Sequence, residues 1–219
     1  MAKVYPSKPF LILLYGFPGS GKTYFARQFC EGVQAAHMQA ERIRGELFEQ
    51  PRYDQQENEV VAHIMNYMTE EFLTAGLSVV YDTNAIKKAT RRRLYDMAMH
   101  HRATPLLVWF QMDAETAFER NVKRDRRRAD DKFAMQLDRS SYEDFLGQMQ
   151  NPGHGEDYVV VSGKHLFNMQ QSAVVAKLRS LGSLADEDAN SRVIKPGLVN
   201  LVPKGPGRFD ASRRNIYIR

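Results

Sequence analysis

A glycine-rich segment near the start of the chain has the spacing of a phosphate-binding loop. The stretch from Gly16 to Thr23 reads G-F-P-G-S-G-K-T and follows the apolar run 10–15 directly. Glycines let the backbone wrap closely around a phosphate, and a helix that begins there directs its positive end at the same anion. Lys22 would reach the β- and γ-phosphates of ATP, and the Thr23 hydroxyl would hold Mg²⁺. The predicted nucleotide-binding residues are Gly16, Pro18, Gly19, Ser20, Gly21, Lys22 and Thr23.

A second chemical signal is the run 79–84, which reads V-V-Y-D-T-N. In parallel sheets, ligands bind outside the carboxyl ends of the strands, so Asp82 and Asn84 should face the nucleotide. We predict that Asp82 holds Mg²⁺ together with Thr23, directly or through water. An aspartate at this place could instead cap the helix that follows.

Charged residues elsewhere could serve the acceptor and the transferring phosphoryl group. Glu41 could take a proton from an attacking hydroxyl, and Arg44, one helical turn further on, could bind a substrate phosphate. Arg120 and Arg124 belong to a cation-rich run up to residue 128 and would share one face of a helix. This run could close over the phosphates as a lid. Both groups could equally be ordinary solvated charges.

Composition predicts a globular protein with one main domain. The chain has 219 residues, is 43% hydrophobic and 26% charged, and carries a net charge of +5. Its single cysteine, Cys30, excludes an intramolecular disulfide and a cysteine-based metal cluster. We expect no signal peptide, no membrane association and a cytoplasmic location. The mild basic excess is compatible with an anionic partner without identifying one.

Apolar runs alternate with helical periods, which predicts an α/β fold with a parallel sheet. The predicted strands are 10–15, 37–39, 77–82, 105–112 and 158–161, and the predicted helices are 22–34, 42–48, 57–75, 87–101, 113–128, 140–150 and 170–181. We expect a domain over 1–182 and a basic extension with prolines and glycines over 183–219.

The order of these motifs resembles the small P-loop kinases related to the 5′-hydroxyl kinase domain of bacteriophage polynucleotide kinase. The similarity covers about residues 10 to 182 and adds an R-x-x-L-x-x-M-A helix that begins at Arg91. It implies a three-layer fold, with a central parallel sheet of about five strands and a helical, arginine-rich lid.

The resemblance also implies roles for single residues. Lys22, Arg120 and Arg124 would neutralise the transferring group, and Arg44 would lie near an acceptor phosphate. Glu41 stands where the family usually has an aspartate proposed as general base, and it is one methylene longer. By the same resemblance, Asp82, Asn84 and Arg91 belong to the acceptor site, and the stretch 151–157 packs near adenine.

These observations favour an ATP-dependent kinase with a hydroxyl acceptor. The acceptor stays open between a polynucleotide 5′-hydroxyl and a small molecule such as a sugar, a nucleoside or an antibiotic. A non-kinase ATP-dependent switch and a nucleic-acid-binding module that uses the basic tail are the alternatives from other classes. The sequence does not define an oligomeric state.

Overall fold

The computed structural model describes residues 4–125, 132–153 and 155–185. Five strands of this part of the chain form one parallel sheet in the order β2-β3-β1-β4-β5. The α/β fold and the parallel sheet expected from the sequence are thereby confirmed. The strands are β1 Phe10–Gly16, β2 Ala36–Gln39, β3 Val79–Asn84, β4 Thr104–Gln111 and β5 Tyr158–Ser162.

The central strand β1 is apolar because both of its faces are covered. Every residue of β1 is buried, and it pairs with β3 on one side and with β4 on the other. A strand buried on both faces shows a continuous apolar run instead of an alternating one, as the run 10–15 does. The helices are α1 Lys22–Gly32, α2 Ala40–Leu47, α3 Gln55–Thr74, α4 Lys88–His100, α5 Ala114–Val122, α6 Arg139–Gly147 and α7 Phe167–Ser180.

Helices cover both faces of the sheet and complete two cores. On one face, α1 and α7 contribute Phe25 and Val174 to a cluster with the side chains of β1 and β4. On the other face, α3 and α4 contribute Met65 and Leu94. Three helices begin at aspartates whose side chains accept a first-turn backbone N–H, which satisfies donors that a helix start leaves unpaired. These caps are Asp54, Asp113 and Asp138.

The predicted helix over 113–128 is wrong in its second half. Helix α5 ends at Val122, and Arg124 lies in the turn beyond it. The buried Asn121 side chain and the Arg124 guanidinium hydrogen-bond the backbone of residues 135–137 as the chain returns, which holds a turn in place of further helix. Arg120 and Arg124 therefore do not share a helix face. Residues 126–128 of the cationic run lie outside the described residues.

The described residues up to Leu184 belong to one compact unit. The predicted extension over 183–219 lies outside the described residues, except for Ser183 to Ala185. In the part of the chain that the structure describes, no helix combines the length and the apolar character needed to cross a membrane.

A buried ion pair joins α4 to the loop that leads into β5. Arg91 is fully buried and forms a two-pronged pair with Glu156, with one Nη2–Oε2 distance of 3.0 Å. It also donates to the carbonyl of Ala85 at 2.9 Å and lies 5.3 Å from the centre of the Tyr15 ring. Every side of this guanidinium is occupied by the protein itself.

Removing the carboxylate of this pair should destabilise the fold, because it leaves the buried Arg91 charge without its partner. We expect Glu156→Ala to lower the free energy of unfolding by about 3 kcal/mol. Urea denaturation measures it, with Glu143→Ala as the control, because Glu143 pairs with Arg139 at the exposed surface. A loss below about 1 kcal/mol, the size of an ordinary substitution, would contradict this account.

Candidate active site

The phosphate loop lies between the end of β1 and the start of α1, at the carboxyl edge of the sheet. Gly19 has a φ of +92°, and a Cβ there would collide with the backbone carbonyl of Ala117, so only glycine fits. Gly21 precedes α1, and no side chain caps that helix. The first-turn N–H groups of α1 therefore have no side-chain acceptor and can donate to an anion. Helix starts bind phosphate in this way.

Lys22 folds back over the loop that it follows. Its Nζ donates to the carbonyls of Gly16 and Phe17, each at 2.8 Å. Burial lowers the pKa of Lys22 to about 7, the charge of Asp82 raises it and the nearby Arg124 lowers it further. Its direct hydrogen-bond partners are neutral oxygens, so an anionic phosphate would further stabilise the charged form of the amine.

Asp82 is the carboxylate that the sequence predicts at the end of β3. One oxygen accepts from the Thr23 hydroxyl at 3.3 Å, and the other lies 2.9 Å from Nε2 of His37 in β2. The hydroxyl and carboxylate oxygens are of the kind that Mg²⁺ binds. Among the described residues, no three His, Cys, Asp or Glu side chains gather as a metal cage. The donor set therefore fits an ion that takes its other ligands from phosphate and water.

Asn84 fixes the first residue of the phosphate loop. Its amide nitrogen donates to the Gly16 carbonyl at 2.6 Å, and its oxygen accepts from the Gly16 N–H at 3.4 Å. Because Asn84 also lines the cavity, it borders the site while its amide holds the loop.

A cavity of about 910 Å³ brings most of the predicted site residues together. Its walls come from the phosphate loop, the ends of β2 and β3, the end of α5 and the turn after β5. The predicted residues that line it are Pro18, Gly19, Ser20, Gly21, Lys22, Thr23, Glu41, Asp82, Asn84, Arg120 and Arg124.

Both predicted lid arginines border this cavity and bond to backbone carbonyls. Arg120 donates to Gly163 at 2.9 Å, and Arg124 donates to Met135 at 2.9 Å. Each holds a loop of the cavity wall and keeps a delocalised cation beside the phosphate loop. Such cations can stabilise charge that develops on a phosphoryl group.

Glu41 lies in the first turn of α2, on the wall of the cavity. Burial raises the pKa of its carboxyl, Arg44 and a hydrogen bond from Tyr53 lower it, and the charges of Asp82 and Arg124 act on it in opposite directions. A carboxylate with a raised pKa is a better proton acceptor than an ordinary surface glutamate.

The structure does not bring Arg44 or Arg91 to the described wall of the cavity. Arg44 is buried, with Nη1 3.2 Å from Glu57 and Nη2 2.6 Å from the Asn58 side-chain oxygen. Arg91 is held in its pair with Glu156. Both arginines already have carboxylate partners inside the fold, so neither offers a free guanidinium to an acceptor phosphate in this state.

The described residues of the stretch 151–157, which was expected to pack near adenine, do not line this cavity. Asn151 accepts from the Tyr15 hydroxyl at 2.9 Å, and Glu156 holds Arg91. After β5, the turn at Gly163 to His165 lines the cavity. That turn follows a strand end, the position where a parallel sheet places ligands, and this rule could have identified it.

The sequence interpretation also missed a contact between α2 and the segment that returns from α5. The Phe133 ring lies against Gly45, where an added Cβ would be 2.5 Å from Phe133 Cδ1. Met135, two residues on, lines the cavity. The contact therefore connects α2, which carries Glu41, to the segment whose Met135 carbonyl accepts from Arg124.

Comparisons with known proteins agree with this geometry. A family model described as an AAA domain, AAA_33, matches residues 11–152. No curated protein matches the sequence.

Several solved structures share the fold. A gluconokinase from Sinorhizobium meliloti 1021 has 17% identity and a TM-score of 0.56, with 84% of this chain and 97% of that chain covered. The Mycobacterium tuberculosis APS kinase CysC in complex with AMPPNP and APS has 15% identity and a TM-score of 0.57, with 80% and 99% covered. Chaetomium thermophilum Kti12 in complex with ADP-AlF3 has 17% identity and a TM-score of 0.59, with 80% and 100% covered.

Nucleotide binding should take up a proton above neutral pH. Because the pKa of Lys22 is about 7, the amine is mostly neutral at pH 8 and recovers its charge against the phosphates. We expect uptake of about one proton per Mg-ATP at pH 8. Calorimetric titration in buffers of different ionisation enthalpy measures it. Lys22→Arg, whose side chain stays charged, should abolish the uptake, and a buffer-independent heat for the unaltered protein would contradict the assignment.

The Phe133–Gly45 contact should appear as a coupling between two substitutions. With Phe133→Ala in place, Gly45→Ala should stabilise α2 by about 0.5–1 kcal/mol, the usual gain in a helix. With Phe133 present, the new methyl group meets the ring, and this gain should be lost. Urea denaturation of the four variants measures the coupling. An equal gain in both backgrounds would show that the ring does not rest on this helix.

Proposed function

The chain belongs to the AAA domain family AAA_33, and from its site we propose that it is a kinase that transfers the γ-phosphoryl group of Mg-ATP to a hydroxyl acceptor. The observation that carries the proposal is the cavity shared by Lys22 and Glu41. Asp82 and Arg124 line the same cavity, and their charges shift the pKa values of both side chains.

Each group has a role in this reaction. The acceptor oxygen forms a bond to the γ-phosphorus while the bond from that phosphorus to the β–γ bridging oxygen breaks, and ADP leaves. The hydroxyl proton passes to the carboxylate of Glu41. Lys22, Arg120 and Arg124 balance charge that spreads over the phosphoryl oxygens. Mg²⁺, when bound at Thr23 and Asp82, would neutralise charge on the phosphates.

We propose that the acceptor is a small molecule and not the end of a polynucleotide. The two arginines expected at the acceptor site, Arg44 and Arg91, are engaged by Glu57 and Glu156. Two of the structural relatives bear the names gluconokinase and APS kinase, which denote small-molecule acceptors. The net charge of +5 favours a polynucleotide as the second candidate. The relation to the bacteriophage kinase domain and the cytoplasmic location stay predictions.

A phosphate-transfer screen tests the proposal. The protein, γ-labelled ATP and Mg²⁺ are offered 5′-hydroxyl DNA and RNA oligonucleotides and a panel of sugars, nucleosides and aminoglycosides. We expect label on a small molecule and a loss of about 10²–10⁴-fold in kcat for Glu41→Gln, with nucleotide affinity retained. Transfer should also fall as the pH drops through the raised pKa of Glu41, because the protonated carboxyl accepts no proton.

The controls separate the alternatives. Lys22→Ala should lose transfer and nucleotide binding together, while Glu31→Gln, which removes an exposed carboxylate on α1, should leave both unchanged. Label on oligonucleotides would keep the chemistry and replace the acceptor. Bound ATP with no labelled product in the whole panel would contradict the kinase and favour a nucleotide-dependent switch.

A further inference from the structure

Tyr53 has a backbone conformation that a bulky residue rarely adopts. Its φ is +58°, and Arg102 is the other described non-glycine residue with a positive φ. Such a conformation costs free energy and persists only where neighbouring contacts impose it. Tyr53 lies between α2 and α3, just before the capping Asp54.

The carboxylate of Glu57 imposes this conformation. It accepts from the backbone N–H groups of Arg52 and Tyr53, each at 2.9 Å, and it pairs with Arg44 at 3.2 Å. Burial alone would raise the pKa of Glu57, but the hydrogen bonds from these groups lower it below its usual value. A charged carboxylate in the first turn of α3 thus fixes both the strained loop and the Arg44 guanidinium.

The strained backbone places the Tyr53 side chain between two charged groups of α2. The Arg44 guanidinium lies 4.6 Å from the centre of the Tyr53 ring, within the range of a cation–π contact. A hydrogen bond from the same side chain lowers the pKa of the Glu41 carboxyl. Arg44 cannot replace that bond, because its Nε is 3.6 Å from Glu41 Oε2 and neither of these atoms has a hydrogen-bond partner among the described residues.

We propose that Tyr53 is a positioning residue, whose hydroxyl holds the Glu41 carboxyl on the cavity wall while its ring packs against the Arg44 guanidinium. This inference rests on the proposed function, because it assigns Glu41 as the proton acceptor. It explains why an arginine one turn from Glu41 is packed against an aromatic ring and does not face the cavity. It also gives the strained loop a role at the site.

The groups that face Glu41 come from four parts of the fold. Arg44 belongs to α2, Tyr53 to the following loop, Asp82 to β3, and Arg124 to the turn after α5. Of these, Tyr53 alone can lose its hydrogen bond through removal of a single oxygen atom, with no change in formal charge. Tyr53→Phe therefore isolates the hydroxyl, and the ring over Arg44 remains.

The first readout needs no acceptor. The side-chain carboxyl of Glu41 is followed by ¹³C NMR through a pH titration, with its signal assigned by its absence in Glu41→Gln. We expect the pKa of Glu41 to rise in Tyr53→Phe, because a hydrogen bond that favours the charged form is lost. Tyr67→Phe, which removes a hydroxyl from the exposed face of α3, should leave this pKa unchanged. An unchanged Glu41 pKa in Tyr53→Phe would overturn the proposal.

The second readout uses the acceptor that the screen identifies. Tyr53→Phe should lower kcat about tenfold, the effect of one hydrogen bond to a charged group, with the KM for ATP unchanged. The acidic limb of the pH profile should move to higher pH by the shift that NMR measures. An unchanged kcat and pH profile would overturn the positioning role. A shifted Glu41 pKa in a protein that labels no acceptor would refute the kinase and leave the Tyr53–Glu41 contact established.

Discussion

The site is organised around one charge that has no carboxylate among its hydrogen-bond partners, the partly buried ammonium group of Lys22. Its Nζ is held by the carbonyls of Gly16 and Phe17, and its pKa falls to about 7 because these dipoles do not replace the water lost on burial. The uncapped start of α1 adds further positive potential. The phosphates of a nucleotide would stabilise both features, because they supply negative charge for Lys22 and acceptor oxygens for the N–H groups of the loop and of α1.

The acceptor side is built by the opposite principle, because its charges are already balanced within the protein. Glu57 satisfies Arg44 and two backbone N–H groups, and Glu156 satisfies Arg91. Glu41 is satisfied less completely, because its ion pair with Arg44 is 3.6 Å long, its pKa is raised, and one of its buried oxygens lacks a hydrogen-bond partner among the described residues. A cavity lined by a cation without a carboxylate hydrogen-bond partner and by an incompletely satisfied carboxylate suits transfer of an anionic group to a neutral hydroxyl.

The sequence predicts those features whose cause is local. The five predicted strands correspond to the five described strands, and the loop motif and the strand-end Asp82 lie together at one edge of the sheet. The carboxylate partners of the two arginines could not be predicted from the sequence. Glu57 is 13 residues from Arg44, and Glu156 is 65 residues from Arg91. The helix expected to continue past Val122 ends because Asn121 and Arg124 bond a segment that sequence spacing does not place.

A crystal structure with Mg²⁺, ADP and aluminium fluoride tests the central claim most directly. The account predicts that Lys22 Nζ leaves the carbonyls of Gly16 and Phe17. It then contacts the fluorine atoms of the metal fluoride and the phosphate oxygens of ADP. It also predicts that Glu41 lies within hydrogen-bond reach of the ligand at the apical position of the metal fluoride, opposite ADP, where an acceptor oxygen would stand. A metal fluoride bound with Lys22 still on those carbonyls, or with Glu41 turned away from the apical position, would contradict the account.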